Sequence, residues 1–336
     1  MGRGHAGGPG VSPPVLIAGP TASGKSQLAL RLAEALQPFG GARIINADSM
    51  QVYRELRVVT ARPTVADEAR APHRLYGVLP VGEVCSAGRW RDMALAEVAA
   101  AQRDGVVPIV VGGTGMYLRV LTRGLSPVPA IPADVRTEAR ARIRDLGVAA
   151  FRTELMTRDA ASVAAMRPED SQRLVRAWEV LEATGVPLHE WQQRDAGADP
   201  FGPSLRVVVL PDRSSVSAAI DARAHRMVEE GVYNEVAALD SLALSDELPA
   251  TRAVGVREVR AWVRGEATEE VAVAAMQTAT RQYAKRQFTW FRNQAADWRA
   301  CGVGGIVTDP QYPESLFAEI FPFIREFLLT QPPAAD

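Results

Sequence analysis

Cysteine is almost missing from this chain of 336 residues: Cys85 and Cys301 are the only two, far apart and without neighbouring ligands. That excludes a disulfide framework and a cysteine-held zinc site. Long apolar runs are missing too. No stretch approaches the roughly 20 residues of a membrane span, and the Gly- and Pro-rich lead-in, 1–13, has no apolar signal core. We therefore expect a flexible N-terminus and a cytoplasmic protein without membrane association. A charge bias is also absent, with 38 basic residues against 39 acidic ones and a net charge of −1. Any case for nucleic acid must then come from local clusters. Lysine is as scarce as cysteine. Of the 38 basic residues only Lys25 and Lys285 are lysine.

One of those two lysines sits where an ammonium is chemically required. Gly19-Pro20-Thr21-Ala22-Ser23-Gly24-Lys25-Ser26 is a complete phosphate-binding P-loop, with an apolar strand before it (Pro14 to Gly19) and helical apolar spacing after it at Leu28, Leu32 and Leu36. Successive backbone N–H groups and the helix N-terminus form an anion nest. Lys25 neutralises phosphate oxygens, and the Ser26 hydroxyl can hold Mg²⁺. Further apolar runs at Ala42–Ala47, Leu75–Leu79 and Val106–Val111 read as strands, and Ala87–Arg103 as a helix. Alternating strands and helices imply an α/β fold with a mainly parallel sheet, its ligands beyond the carboxyl ends of the strands.

After Gly124 the pattern changes. A proline-dense stretch leads into a wholly helical segment from Ala133 to about Trp191, and a Gly/Asp/Pro-rich stretch closes it before the buried strand Leu205–Leu210. We expect a discontinuous core, 14–124 and 204–330, interrupted by a helical insertion, 125–203. The core should end in helices, with a long one from Thr268 to about Gln294.

The acid of an NTP-hydrolysing motor is missing. The run Val106–Val111 ends in Gly112-Gly113-Thr114-Gly115 and not in Asp. Those glycines suit either a backbone passing close to a ligand, with the Thr114 hydroxyl available to it, or a plain tight turn. Asp48, at the end of the strand beside the P-loop strand, fits a general base, a magnesium partner or a helix N-cap. Basic residues cluster as Arg173 and Arg176, as Arg252 and Arg257 near Gly255, and as Arg281, Lys285, Arg286 and Arg292. Interleaved Tyr283, Phe288, Trp290 and Phe291 suit either stacking of unpaired bases or a core stripe.

Taken together, GPTASGKS (19–26), DSMQVY (48–53), TARP (60–63), PHRL (72–75), GGTGMY (112–117) and RQYAKRQFTWFR (281–292) closely resemble the tRNA isopentenyltransferase family, from about Val15 to Trp298. The resemblance implies a nucleotide-kinase-like P-loop core whose insertion clasps the anticodon stem–loop. It further implies transfer of a dimethylallyl group from dimethylallyl diphosphate, with Mg²⁺, to the exocyclic amine of an adenosine beside the anticodon, by a chain acting as a monomer. It implies Asp48 as base, with Lys25 and Thr114 as further catalytic residues. Diphosphate contacts would come from Gly19, Thr21, Ala22, Ser23, Gly24, Lys25, Ser26 and Arg223. The implied tRNA contacts are Asp48, Ser49, Met50, Gln51, Thr114, Arg136, Gln172, Arg173, Leu174, Val175, Arg176, Arg252, Gly255 and Arg257, joined by the basic helix residues Arg281, Lys285 and Arg286. Two departures are Arg62 for the usual lysine of this segment and Val58-Val59 for a more usual Ile-Gly. The rival readings are a P-loop small-molecule kinase and an enzyme that prenylates free adenylate.

Overall fold

The computed structural model describes residues 12–194, 200–201, 204–301 and 314–330. All but the end of the expected flexible lead-in, and most of the Gly/Asp/Pro-rich stretch before Leu205, lie outside them. Chain order runs β1 (Val15–Ala18), α1 (Lys25–Ala35), β2 (Ala42–Asn46), α2 (Val65–Arg70), β3 (His73–Arg74), α3 (Ala87–Arg103), β4 (Val107–Gly112) and α4 (Gly115–Arg123). Four helices follow: α5 (Ala133–Arg158), α6 (Ala160–Ala164), α7 (Ser171–Thr184) and α8 (Leu188–Gln193). The chain then returns through β5 (Leu205–Val209), α9 (Arg213–Glu229), α10 (Val232–Ser241), α11 (Val256–Val263), α12 (Glu269–Gln294), β6 (Arg299–Cys301) and α13 (Glu314–Thr330).

The strands form one parallel sheet in the order β3-β2-β4-β1-β5-β6. Alternation within each strand sends side chains to opposite faces. Leu16, Ile45 and Val110 enter a core with Trp90 of α3 and Tyr117 of α4, whose rings stack at 4.2 Å. Val15, Ile17, Ile44 and Ile109 enter the other core, with Leu28 and Leu32 of α1 and Ile320 and Ile324 of α13. Both faces are thus covered, as near-continuous apolar strands require. The carboxyl ends of β1, β2 and β4 deliver the P-loop, Asp48 and the Gly112–Gly115 turn to one edge of the sheet.

The run Leu75–Leu79 is not a strand. Its ladder ends at Arg74, because Leu75 (φ 63°) and Gly77 (φ 60°) take left-handed conformations that turn the chain. Leu75 and Leu79 are buried all the same, and Leu79 bridges to Tyr53. Burial here came with a single bridge and no continuous ladder.

By contacts the chain divides into two compact units, one of residues up to 122 and from 201, the other 123–200. The second is all-helical around Phe151, Leu155, Leu174 and Trp178. Gly147 (φ 76°) breaks α5 into two helical pieces.

Candidate active site

The P-loop is built tightly around missing side chains. A Cβ on Gly19 would lie 2.6 Å from Ser23 Oγ and 2.8 Å from the Val209 carbonyl oxygen. Ala22 (φ 58°) and Gly24 (φ 84°) are left-handed, which curls the chain before α1 begins. The first-turn amides of α1 have no helical partner and remain for an anion. Lys25 donates from Nζ to the Pro20 carbonyl at 3.0 Å. Burial pulls its pKa down from 10.5 to about 8; Asp48 works against that shift and Arg223 adds to it. Arg223 of α9 donates to Thr21 Oγ1, which places the guanidinium at the loop.

Asp48 is fixed from behind by Asn46, a fully buried side chain that sequence reading passed over. Asn46 Oδ1 accepts the Asp48 N–H at 2.8 Å, while Nδ2 donates to the carbonyls of Asp48 (2.9 Å) and Leu75 (3.0 Å). Trp90 Nε1 donates to the Asn46 carbonyl at 2.9 Å. Asp48 Oδ1 accepts the Met50 N–H at 2.9 Å. No helix follows, so the N-cap reading gives way to a turn-forming one. Thr114 lies one step back: its Oγ1 accepts the Ser49 N–H at 2.9 Å and also meets the Tyr283 hydroxyl.

The glycines of the Gly112–Gly115 turn each lie hard against the protein itself. A Cβ on Gly112 would lie 2.1 Å from the Ala47 carbonyl oxygen, one on Gly113 2.5 Å from Gln287 Nε2, and one on Gly115 2.4 Å from the Trp290 ring. None of the three has positive φ. The close approach comes from Ala47, just after β2, and from α12.

Two cavities meet at Asp48. One, of about 390 Å³, runs along Thr21–Ser26 and is walled by Arg62, Arg223 and Arg226. The other, of about 270 Å³, has an apolar wall of Met50, Val59, Ile220, Met227, Val254 and Met276, with Arg252, Tyr283 and Arg286 at its polar side. Thr21, Asp48, Thr60, Arg223 and Met227 border both. A third, basic groove of about 750 Å³ shares Arg252 and Arg286 with the apolar chamber and adds Arg257. The loop bearing Val59 and Thr60 is held by Glu235 of α10, another residue the sequence did not mark. Its carboxylate accepts the N–H groups of Arg57 (2.7 Å), Val58 (2.8 Å) and Val59 (2.8 Å). Gly255 (φ 97°) packs under that loop, where a Cβ would lie 2.9 Å from Val59. Gln51 ties the same segment down through the carbonyls of Thr60 (2.9 Å) and Ala61 (3.1 Å). Arg62, the departure from the usual lysine, donates to the Tyr53 and Arg54 carbonyls at 3.2 Å.

On α12 the aromatic residues divide. Phe288 and Phe291 are buried core, so these two are not stacking platforms, and Trp290, half-buried, covers Gly115. Tyr283 lines the chamber. Lys285 and Arg286 are exposed, whereas Arg281 is engaged by Asp221. In the helical unit Arg136, Gln172 and Arg173 are exposed and Arg176 is half-buried, beside Glu179 at 3.4 Å. Leu174 is fully buried, so it does not offer its side chain to a partner, and Val175 is half-buried against the same core. The helix spacing that exposes Arg173 turns Leu174 inward.

Among the described residues no group of three or more His, Cys, Asp or Glu side chains could cage a metal. Mg²⁺ does not need such a cage; one or two protein oxygens plus phosphate and water suffice. Ser26 and Asp48, both hard oxygen donors, border the P-loop cavity and fit that pattern.

The IPP transferase family model matches residues 51–294. Among curated relatives, the tRNA dimethylallyltransferase of Rhodospirillum centenum is 51% identical over 302 residues, covering 89% of this chain and 94% of the relative. That of Paramagnetospirillum magneticum is 46% identical over 96% of this chain and 98% of its own. Among solved structures, the tRNA isopentenylpyrophosphate transferase of Bacillus halodurans is 29% identical with a TM-score of 0.65, covering 95% of this chain and 97% of that one. A eukaryotic dimethylallyltransferase, described as acting on tRNA, shares the fold at 22% identity and a TM-score of 0.77, covering 96% of this chain and 81% of that one. With a matching model across most of its length and relatives at about half identity, this chain belongs to the IPP transferase family.

Proposed function

We propose that this chain transfers a dimethylallyl group from dimethylallyl diphosphate to the exocyclic amine of the adenosine 3′ of the anticodon in tRNA, acting as a cytoplasmic monomer. The observation that carries this reading is the position of Asp48, at the junction of an anion-binding cavity and an apolar chamber. Such a junction suits a diphosphate on one side and a prenyl tail meeting a base on the other. An aromatic amine is a poor nucleophile, so the reaction needs a stabilised leaving group and an allylic carbon able to carry positive charge. The carbon–oxygen bond to diphosphate breaks, the leaving group keeping the electron pair. The nitrogen–carbon bond forms, and the amine proton passes to the Asp48 carboxylate. Lys25, Arg223 and the α1 amides stabilise the departing charge. Mg²⁺ held at Ser26 supplies further charge neutralisation on the diphosphate when bound.

The adenosine must leave its stack to reach the chamber, at roughly a few kcal/mol. Arg252, Arg257, Lys285 and Arg286 offset that cost by holding the phosphates around it. Gln172, Arg173, Arg176 and Arg136 present a second contact surface on the helical unit. The test uses the purified chain with dimethylallyl diphosphate, Mg²⁺ and unmodified tRNA, analysing nucleosides for a prenyl mass gain. Free AMP and ATP serve as competing substrates. Prenylation of AMP alone, or phosphoryl transfer from ATP, would replace this reading by one of its two rivals. Within it, Asp48→Ala should lower turnover at least ~100-fold and leave tRNA affinity intact; unchanged turnover removes Asp48 as base.

A further inference from the structure

Gln287 bridges the two glycine-bearing loops of the site. Its Oε1 accepts the Thr21 N–H at 2.8 Å, and its Nε2 donates to the Gly113 carbonyl at 2.8 Å. These partners fix the orientation of the carboxamide, since an N–H and a carbonyl oxygen require opposite ends of it. The side chain is buried, and it fills the wedge between the ends of β1 and β4, where Gly113 has no room for a Cβ. Next to Thr21, Ala22 holds a left-handed conformation that disfavours any residue with a Cβ, so its surroundings must impose it. Within the loop, the Ser23 N–H bonds the Pro20 carbonyl at 3.3 Å. From outside, Gln287 holds the Thr21 backbone and Arg223 holds its hydroxyl. Phe288, the next residue, packs with Ala22.

We propose that Gln287 is a positioning residue for the diphosphate. Its carboxamide removes the Thr21 N–H from the anion nest, locks the turn at Ala22, and leaves the α1 amides with Lys25 to face the leaving group. This rests on the P-loop being the diphosphate site, and the experiment separates the two claims. Hydrogen exchange of the P-loop amides is followed by NMR in the full-length protein, with and without Mg²⁺–pyrophosphate. The Thr21 amide should already be protected without ligand and change little on binding, while the Lys25 and Ser26 amides gain protection. A Thr21 amide that exchanges freely and becomes protected only by pyrophosphate is an anion ligand, which overturns the proposal. No binding of pyrophosphate anywhere overturns the underlying site instead.

Gln287→Met, which can neither donate nor accept as the amide does, should raise the KM for dimethylallyl diphosphate about tenfold, the order expected for loss of buried hydrogen bonds. The KM for tRNA should stay within about twofold, because Gln287 does not reach the basic groove. Gln287→Glu, keeping the acceptor for Thr21 but facing the Gly113 carbonyl with a carboxylate oxygen, should also raise the donor KM and keep Thr21 protected. A donor KM that is unchanged in either folded variant, with only a lower Tm and fewer active molecules, would reduce Gln287 to a packing role.

Discussion

Replacing Lys25 by methionine should stabilise the ligand-free protein while abolishing diphosphate binding. The ammonium is desolvated, and its pKa falls from 10.5 to about 8 despite the Asp48 charge. At about 1.36 kcal/mol per unit, keeping Lys25 protonated in the folded state costs about 3 kcal/mol, an upper figure because the side chain is only half-buried overall. Methionine has similar bulk and no charge, but it forfeits the bond to the Pro20 carbonyl, worth ~1 kcal/mol. A net gain of about 2 kcal/mol at pH 7 follows, a rise in Tm of a few degrees for a chain of this size.

The effect depends on pH in a defined direction. Below about pH 8 both folded and unfolded lysine are protonated, and the cost is present in full. Between about 8 and 10.5 the unfolded chain holds a proton that the folded one has lost, so the wild type gains stability with pH and the gap to the variant closes. Donor affinity runs the other way, declining above about pH 8 as the ammonium is lost. Thermal melts at pH 7, 8, 9 and 10, with and without Mg²⁺–pyrophosphate, measure all of this. Ligand at 100 times its Kd should stabilise the wild type by about 2.7 kcal/mol and the variant hardly at all. A variant that melts at or below the wild type at pH 7 without ligand, or a gap that holds constant to pH 10, refutes the reasoning.

Glu235→Ala should cost about 2–4 kcal/mol, because it strips a carboxylate from three backbone N–H groups. Urea unfolding reads that loss, and steady-state kinetics should show higher KM values as Val59 and Thr60 shift in the chamber wall. Gly112→Ala should cost about 3 kcal/mol, since its Cβ would meet Ala47 backbone that cannot yield; a melt within ~0.5 kcal/mol of wild type, the size of an ordinary surface effect, would contradict that close approach. Arg286→Ala should weaken binding to an anticodon stem–loop and lower the slope of log K against log salt by about 1. Arg281→Ala, already engaged by Asp221, should change that slope less.

What the sequence disclosed was chemistry carried by contiguous residues. The P-loop needs its residues in one unbroken run between a strand and a helix, so the pattern is the site. The α/β architecture was equally legible, because two-sided burial writes apolar strands and capped helices write their own ends, as at Ser86 and Thr268. Misreadings arose where burial and pairing part company. Leu75 and Leu79 satisfy the core without a ladder, and of the two readings open for the aromatic residues of α12, Phe288 and Phe291 take the core one. Phe288 and Phe291 face inward, and Lys285, Arg286 and Arg292 on either side of them face outward, on the ordinary helical period.

The supports of the site were illegible for a different reason. Gln287 lies 266 residues from Thr21, and Glu235 lies 178 from Arg57. Neither has a local pattern, because an amide or carboxylate that bonds a backbone is chosen by a distance that only the fold creates. Asn46 illustrates the limit best. It stands two residues before Asp48, in the segment most closely read, yet nothing in Ile-Ile-Asn-Ala distinguishes a strand-end asparagine that clamps its neighbour from one that faces water. Two of its three bonds hold the N–H and the carbonyl of Asp48, and the third ties the pair to the Leu75 carbonyl. The Met50 N–H then occupies Oδ1. The turn-forming and catalytic readings of Asp48 therefore do not compete: one carboxylate oxygen fixes the turn, and that bond orients the group at the junction of the two cavities, where the proposed transfer calls for a proton-accepting oxygen.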